Sequence, residues 1–376
     1  MTDRLQQPLS RRALLRGAAL GAAGLGALAL AGCGGGDSAA GTATPSTPPS
    51  TQTPPPTTPA ATAEVPTATW SRVAASGGPG PRRDHSTTFN PNDGRVYVFG
   101  GRTAGTSNAE LWTYDPAAAK WRQVGSAGPG PAPRFGHNAF YDGTRKRLVI
   151  ALGQGNGDAF FNDAWAYDAR GWQQIDASPD ERPQVRYGAG GAHDAAGDRF
   201  IISHGFTDRG RFDDSWSLDL AGGVWTKIAT SGPVPIKRCL TRSLWLPDAR
   251  SMLLFGGQTD ATPFLGDLWT LDAAKGQWTE RHPSPLPGPR NLYGAILDER
   301  TNRWYVVSGN TSDGPSGEAW AYALDTATWS MISPAGAAPP ARYSADTAIG
   351  AGKLYLFGGH DGAGEVDDLW TLDLPA

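Results

Sequence analysis

Residues 81–124 read PRRDHSTTFNPNDGRVYVFGGRTAGTSNAELWTYDPAAAKWRQV and contain four short runs rich in β-branched and aromatic residues. Gly, Pro, Asn and Asp residues separate these runs, as at 91–94 after the first run and at Pro116 before the last. Such alternation is typical of short antiparallel strands that follow one another in sequence order. The stretch therefore predicts a four-stranded β-meander.

The same unit recurs six times along the chain. An arginine returns every 52 residues, at Arg82, Arg134, Arg186, Arg238, Arg290 and Arg342. A first tryptophan returns at Trp112, Trp165, Trp216, Trp269, Trp320 and Trp370, and a second at Trp70, Trp121, Trp172, Trp225, Trp278 and Trp329. Tryptophan repeated in this way is expected to pack between neighbouring sheets. Four strands in a unit of about fifty residues predict an all-β, six-bladed propeller.

The repeats in residues 67–376 resemble kelch repeats, the superfamily that includes the central domain of galactose oxidase. Three units carry a Phe-Gly-Gly motif followed by an acidic-x-Trp: Phe99-Gly100-Gly101, Phe255-Gly256-Gly257 and Phe357-Gly358-Gly359. The other three units, aligned at Gly153-Gln154, Gly205-Phe206 and Gly309-Asn310, keep only the first glycine of the pair. Because the second glycine commonly serves a tight backbone bend, blades 2, 3 and 5 are expected to bend differently.

The two ends of the repeat region complement each other. The sixth unit stops after its third strand, at residues 368–373, and has no fourth strand of its own. Residues 67–73 read TATWSRV and resemble the fourth strand at 120–124. Pairing these segments predicts that an N-terminal strand completes blade 6 and closes the ring, which removes an exposed sheet edge.

The first 66 residues carry export signals. Residues 10–16 read SRRALLR, a twin-arginine pattern, and 17–32 form a short Gly/Ala-rich apolar run. The run ends in LAGC at 30–33, which resembles a bacterial lipobox, so residues 1–32 are predicted to be a signal peptide and Cys33 the acylated residue. The alternative is a plain amphipathic N-terminal helix. The composition of 33–66, rich in Ser, Thr, Pro and Gly, predicts a disordered tether to a bacterial membrane, so the propeller is expected to be extracytoplasmic.

Composition and motifs exclude several kinds of site. The chain has a formal charge of −3, and removal of residues 1–32 takes away four Arg and one Asp, so no basic nucleic-acid footprint remains. The six histidines show no short metal-ligand spacing, and neither a nucleophile motif nor a phosphate-binding glycine loop is present. We therefore predict a monomer with no nucleic-acid partner, no cofactor, no metal and no catalytic residues.

The repeated arginines are the main candidates for a ligand site. In a propeller the first strand of each blade lies innermost, so the six arginines are expected to start the inner strands and ring one mouth of the channel. The long loops 102–109, 154–162, 206–213, 258–266, 310–317 and 360–367 are expected on the same face. An acid precedes each first tryptophan by two residues: Glu110, Asp163, Asp214, Asp267, Glu318 and Asp368.

These arginines and acids allow two interpretations. The guanidinium groups could pair with the acids from blade to blade and serve the fold. Alternatively, unpaired arginines could bind an anion or an acidic sugar. Arg83 breaks the repeat and is therefore a better ligand candidate than the ring itself. Phe160 and Phe161 are further candidates, because two adjacent strand residues cannot both face the core.

Two classes of function remain open. The first is a lipid-anchored binding or scaffolding module that presents its loops to an unknown protein or a cell-surface glycan, and the absence of a catalytic constellation favours it. The alternative is a carbohydrate-active enzyme that resembles the six-bladed sialic acid mutarotases, with Arg and a carboxylate as acid and base. A galactose oxidase-like copper enzyme fits less well, since that family has seven blades and a Tyr–Cys crosslink. An open mouth with an unpaired Arg would favour the enzyme, and a closed mouth with an aromatic rim the binder.

Overall fold

A computed structural model describes residues 67–125, 128–177 and 181–374. These residues form strands, turns and loops arranged as a six-bladed β-propeller, which confirms the predicted fold class. In this part of the chain no helix is long and apolar enough to cross a membrane. The predicted signal peptide, the tether and Cys33 lie outside the described residues.

Each blade is a meander of four antiparallel strands that hydrogen-bond in sequence order from the inner to the outer strand. Blade 1 contains Ser86–Asn90, Arg95–Phe99, Leu111–Asp115 and Lys120–Val124, and blade 2 contains Asn138–Asp142, Arg147–Ala151, Ala164–Asp168 and Gly171–Gln174. Blade 3 contains Gly190–Asp194, Arg199–Ser203, Ser215–Asp219 and Trp225–Ile228, and blade 4 contains Arg242–Leu246, Ser251–Gly257, Leu265–Asp272 and Gln277–Arg281. Blade 5 contains Gly294–Asp298, Arg303–Val307, Ala319–Ala323 and Thr328–Met331.

Three of the long loops between second and third strands form small hairpins of their own. These are Arg102–Thr103 with Thr106–Ser107, Phe206–Thr207 with Gly210–Arg211, and Asn310–Thr311 with Gly314–Pro315. We call the face that carries these loops and the linkers between blades the loop face. The opposite face, which carries the short turns, is the turn face.

Blade 6 is completed by the N-terminal strand, as predicted. Its strands Asp346–Gly350, Lys353–Phe357 and Leu369–Asp373 are followed by Thr67–Arg72, with Trp70 opposite Leu372. The short strand Ser333–Ala335, from the linker after blade 5, pairs in parallel with the outer side of Thr67–Arg72. Because Arg72 lies opposite Trp370, near the loop-face end of the third strand, the N-terminal strand starts at the turn face.

The second tryptophan of each repeat packs against the preceding blade. The ring of Trp172 lies 5.0 Å from that of Phe99 in blade 1, and Trp329 lies 5.8 Å from Phe255 in blade 4. Trp121 in blade 1 contacts Phe357 in blade 6 at 5.1 Å, so the same contact crosses the closure of the ring. These contacts confirm that the repeated tryptophans join neighbouring sheets.

The expectation about the incomplete glycine pairs is wrong. The strand register places Leu152, His204 and Ser308 at the first glycine position, and their φ angles of 63–65° match the 64° of Gly100. The retained glycines, Gly153 among them, occupy the second position. At that position a Cβ on Gly101 would lie 2.8 Å from the carbonyl oxygen of Arg83, so only glycine fits. Blades 2, 3 and 5 therefore bend in the same way as the others.

Candidate binding site at the channel mouth

The six repeated arginines are buried and paired. Arg186 donates from Nη1 to Asp214 Oδ1 (2.6 Å) and to the carbonyl oxygen of His204 (2.9 Å), and from Nη2 to Asp214 Oδ2 (3.1 Å). The same ion pair joins Arg82 with Glu110, Arg134 with Asp163, Arg238 with Asp267, Arg290 with Glu318 and Arg342 with Asp368. Their exposed fraction is at most 2%. These ion pairs use the N–H donors of the guanidinium groups, as expected if the arginines serve the fold. A ligand role for these arginines stays a prediction.

Each acid of the ion pair also accepts from the tryptophan two residues later. Asp214 Oδ2 accepts from Trp216 Nε1 at 2.7 Å, and the indole N–H of the first tryptophan makes the same bond in the other five blades. Burial acts to raise the pKa of Asp214, but the hydrogen bonds and charge of Arg186 and the hydrogen bond from Trp216 together hold that pKa below its ordinary value. The acidic-x-Trp spacing is thus explained by an Arg–carboxylate–indole triad.

Two details of the arginine prediction are corrected. Each arginine precedes its inner strand by four residues and lies in the seam between blades, so it does not line the mouth. Each side chain pairs within its own blade, not from blade to blade; the backbone makes the connection between blades. The carbonyl oxygen of Arg186, for example, accepts from Gly153 N in blade 2 at 2.9 Å. The sequence period alone could not distinguish these pairings.

A closed ring of backbone hydrogen bonds surrounds the channel at the loop face. It joins the residues two positions after each repeated arginine: Asp84, Gly136, Gly188, Leu240, Leu292 and Ser344. Each amide donates to the carbonyl oxygen of the preceding blade at 2.7–3.4 Å, and Asp84 donates to Ser344 to close the circle. The cavity inside this ring measures about 30 Å³. That volume holds roughly one or two water molecules, so a sugar does not fit inside this ring.

Beside this backbone ring lie the residues one position after each repeated arginine, of which Arg83, Tyr187 and Tyr343 are half-buried and Phe135, Cys239 and Asn291 are buried. We call this set the mouth ring: Arg83, Phe135, Tyr187, Cys239, Asn291 and Tyr343. Each forms an antiparallel bridge with a loop residue of its own blade, respectively Arg102, Gln154, Phe206, Gln258, Asn310 and His360. The framework position before it is always arginine, whereas the mouth ring differs from blade to blade. Variation on a constant framework is what a specific binding surface requires.

One half of the mouth carries a continuous series of aromatic rings, here named the aromatic track: Phe135, Tyr187, Phe206 and Phe160. Successive rings meet edge to face at centroid distances of 5.6, 5.8 and 6.2 Å. The guanidinium of Arg102 lies 4.1 Å from the centre of Phe135 and caps one end of the track. Val185 and Ile236, 37% and 60% exposed on linkers of the same face, add apolar surface.

Charged pairs hold the start of the aromatic track in place. Arg102 donates from Nη2 to Asp84 Oδ2 at 2.6 Å. Burial acts to raise the pKa of Asp84, but the charge of Arg102 together with hydrogen bonds from Ser344 and Arg102 holds the pKa of Asp84 below its ordinary value. A carboxylate that is ionised and paired in this way orients Arg102 over Phe135 instead of leaving it free.

The other half of the mouth is polar. Arg83 Nε lies 3.4 Å from the Glu365 carboxylate, and the rings of Tyr343 and His360 stack at 5.0 Å. Asn291 donates from Nδ2 to Gln258 Oε1 at 2.9 Å. The mouth therefore offers apolar contact on one side and hydrogen-bonding groups on the other.

The remaining sequence candidates fall into two places. Phe161 packs under the guanidinium of Arg134, 4.2 Å from its centre, and so belongs to the framework. Phe160 joins the aromatic track, and Arg83 joins the mouth ring; their roles as ligand contacts stay predictions. Within the described ranges no group of three or more His, Cys, Asp and Glu residues is arranged to hold a metal ion. Cys239 is buried, which raises the pKa of its thiol.

The comparison with known families agrees with the repeat geometry. The profile of the KLHDC2/KLHL20/DRC7 Kelch-repeats domain matches residues 60–250 and 245–376. The chain belongs to this kelch-repeat family. The match covers all six blades, so this kelch propeller is related to the family over its whole described fold.

Individual relatives share the kelch region over part of their length. Human host cell factor 1 is 29% identical over 264 residues, which is 64% of this chain and 12% of that protein. Leucine-zipper-like transcriptional regulator 1 of Pongo abelii is 26% identical over 290 residues, 73% of this chain and 32% of that protein. The kelch propeller thus spans a minor part of both relatives, so their activities and partners are not carried over to it.

Sequence reasoning missed several residues of the mouth. Arg102, Gln258, Asn291 and His360 were not among the candidates, although the repeat contained the signal. Position +1 after each repeated arginine changes in chemical character between units, for example from Arg83 to Phe135 to Cys239. Reading the departures from the repeat, in place of the repeat itself, would have found the mouth ring of this kelch domain.

Proposed function

We propose that this kelch propeller is a lipid-anchored, extracytoplasmic module that binds a partner protein with its loop face. The aromatic track carries the proposal, because the half-buried rings of Tyr187, Phe206 and Phe160, packed beside the buried Phe135 and flanked by exposed Val185 and Ile236, form an apolar contact surface. The polar half, with the half-buried His360 and Glu365, supplies the directional contacts that such surfaces need at their rim.

The direction of the N-terminal strand supports the anchored arrangement. The chain enters blade 6 at the turn face, opposite the loops. A tether of residues 33–66 in an extended, proline-rich conformation would reach up to about 100 Å at about 3.1 Å per residue. Anchorage at Cys33 would therefore attach the propeller through its turn face and leave the loop face accessible to a partner.

The geometry of the mouth supports binding over carbohydrate catalysis. The six ring arginines are paired with carboxylates, and the channel cavity of about 30 Å³ is too small for a pyranose. Burial and the charge of Arg82 lower the pKa of His85 to about 3, so this histidine by the channel is neutral at physiological pH. A closed mouth with an aromatic rim is the arrangement that favours a binder.

The anchor is tested by replacing Cys33. In a bacterial host with twin-arginine export, the wild-type chain is expected in the membrane fraction, because an acylated Cys33 would partition into lipid. Cys33→Ser is expected to move most of the exported protein into the soluble extracytoplasmic fraction, as judged by immunoblot. Cys239→Ser is the matched control and should stay with the membrane. Equal membrane retention of the Cys33→Ser variant would reject lipid anchoring.

The binding surface is tested by photo-crosslinking in the same host. A benzophenone amino acid at Phe160 is expected to form a protease-sensitive adduct, and Tyr187→Ser is expected to lower its yield by about fivefold or more, since aromatic anchors dominate such contacts. The control is the same group at Val224, an exposed apolar position of the turn face. Equal adducts at both positions would contradict a loop-face site, and a glycosidase-sensitive adduct would replace the protein partner with a glycan.

A further inference from the structure

The seam between blades 4 and 5 departs from the rest of the propeller at the turn face. In each blade the last residue of the inner strand lies opposite the first residue of the second strand. That second residue is a cation in five blades: Arg95, Arg147, Arg199, Arg303 and Lys353. In blade 4 it is Ser251, opposite Leu246. The repeat thus loses its charged side chain in one blade.

The cation in blade 2 shows what the missing side chain does. Arg147 donates from Nε to Asp142 Oδ2 at 2.9 Å and from Nη2 to the carbonyl oxygen of Leu220 in blade 3 at 3.0 Å. Its guanidinium therefore lies across the seam between the two blades. Leu220 directly follows the third strand of blade 3, and Leu324 has the same position in blade 5.

A cavity lies where blade 4 lacks this side chain. It measures about 400 Å³, and both Ser251 and Leu324 line it. Leu246, Leu253 and Tyr322 supply apolar walls, while the exposed carboxylates of Asp248 and Asp325 lie on the turns around it. A cavity of this size matches sites that take small molecules.

The charges around the cavity favour a cation. Arg281 is the cation among the lining residues, and its Nε donates to Thr270 Oγ1 at 3.0 Å on the outer two strands of blade 4. Ser251 and Leu246 belong to the inner two strands, next to the turn that holds Asp248. Asp325 accepts a hydrogen bond from Asn302, which holds it in the lining.

We propose that this seam cavity binds a guanidinium group carried on a short alkyl chain. The alkyl chain would lie against Leu246, Leu253 and Tyr322, and the guanidinium would take the place that Arg147 occupies in the seam between blades 2 and 3. The carboxylates of Asp248 and Asp325 supply the negative charge that such a group requires. The site is separate from the channel mouth and does not depend on a partner there.

Calorimetric titration of the full chain with n-butylguanidinium tests the proposal. We expect saturable binding of n-butylguanidinium. The control is n-butylurea, a neutral molecule of the same shape, and its affinity is expected to be lower by about tenfold or more, because charge-assisted hydrogen bonds are stronger than neutral ones. Acetyl-arginine amide is titrated as a second probe. An affinity similar to that of n-butylguanidinium would indicate that the natural ligand is an arginine side chain, and a much weaker affinity would indicate a free small molecule. Equal affinity for the urea, or no saturable binding by any probe, overturns the proposal.

Variants locate the binding. Asp248→Asn, an exposed change, is expected to weaken n-butylguanidinium about two- to fivefold, and Asp313→Asn on the loop face is the matched control without effect. Leu246→Asp combined with Ser251→Arg restores the Asp–Arg pair of blades 2 and 3 and is expected to abolish binding without lowering the melting temperature. If that double variant fails to fold, the affinity of Asp248→Asn for n-butylguanidinium tests the position of the site. An unchanged affinity in Asp248→Asn would contradict binding in the seam cavity.

Discussion

A chain that begins at residue 74 is expected to lose most of the stability of a chain that begins at residue 67. The missing strand contributes Trp70 and Ala68, which are 6% and 5% exposed, to a core shared by blades 5 and 6. Removing a buried tryptophan costs about 3–5 kcal/mol, a large fraction of the roughly 5–15 kcal/mol that stabilises a domain. The third strand of blade 6 would also become an unpaired edge.

Urea unfolding followed by far-UV circular dichroism measures this loss. Trp70→Ala in the chain from residue 67 is the matched control, because it removes the side chain and keeps the strand. We expect its midpoint to lie between those of the two chain lengths. Identical midpoints for the chains that start at 67 and 74 would show that closure by the N-terminal strand does not stabilise the propeller.

Arg186→Met is expected to destabilise the propeller by about 3–5 kcal/mol, the usual cost of removing one partner of a buried ion pair. Arg186 is fully buried, and its loss removes the counter-charge of Asp214, which keeps only the Trp216 indole as a side-chain donor, and the guanidinium donor of the His204 carbonyl oxygen. Methionine has a similar length, so the loss would come from the missing charge and hydrogen bonds more than from a cavity.

The control for this change is Arg209→Met, an exposed position on the loop of the same blade, where an effect within about 0.5 kcal/mol is expected. Urea unfolding at neutral pH gives both free energies. A loss below about 1 kcal/mol for Arg186→Met would mean that the ion pair does not support the fold. Loss of partner binding with unchanged stability would instead return the ring arginines to the ligand site.

The fold could be predicted from the sequence because the buried residues that specify each blade recur in every unit. Six arginines at constant spacing and six tryptophan pairs at nearly constant spacing indicate packing that each blade must satisfy in the same way. Closure was predictable for the same reason, since Trp70 is the outer-strand tryptophan that blade 6 lacks. The glycine assignment failed because Leu152, His204 and Ser308 adopt φ angles that such residues usually avoid.

The candidate site was less predictable, because its residues are the ones that do not repeat. The repeat drew attention to the constant arginines, but the structure buries them and leaves Arg83, Tyr187 and Tyr343 of the neighbouring mouth ring half-buried. Phe135, Tyr187 and Phe206 come from linkers and loops of two blades, and the contact of Phe135 with Tyr187 depends on how blades 2 and 3 pack side by side. The repeat period alone gives the number of blades, but it does not indicate which of the residues that differ between blades form the binding site.

By itself, the amino-acid sequence determined the class of the fold, the number of blades, the strand that closes the ring, and the predicted export signals. These follow from spacing and side-chain type, which act locally along the chain. Only the tertiary structure decided that the arginines pair within their blades, that the channel is closed, and that Ser251 leaves a cavity between blades. Each of these depends on which side chains meet across a seam, and such contacts between distant residues are set by packing in three dimensions.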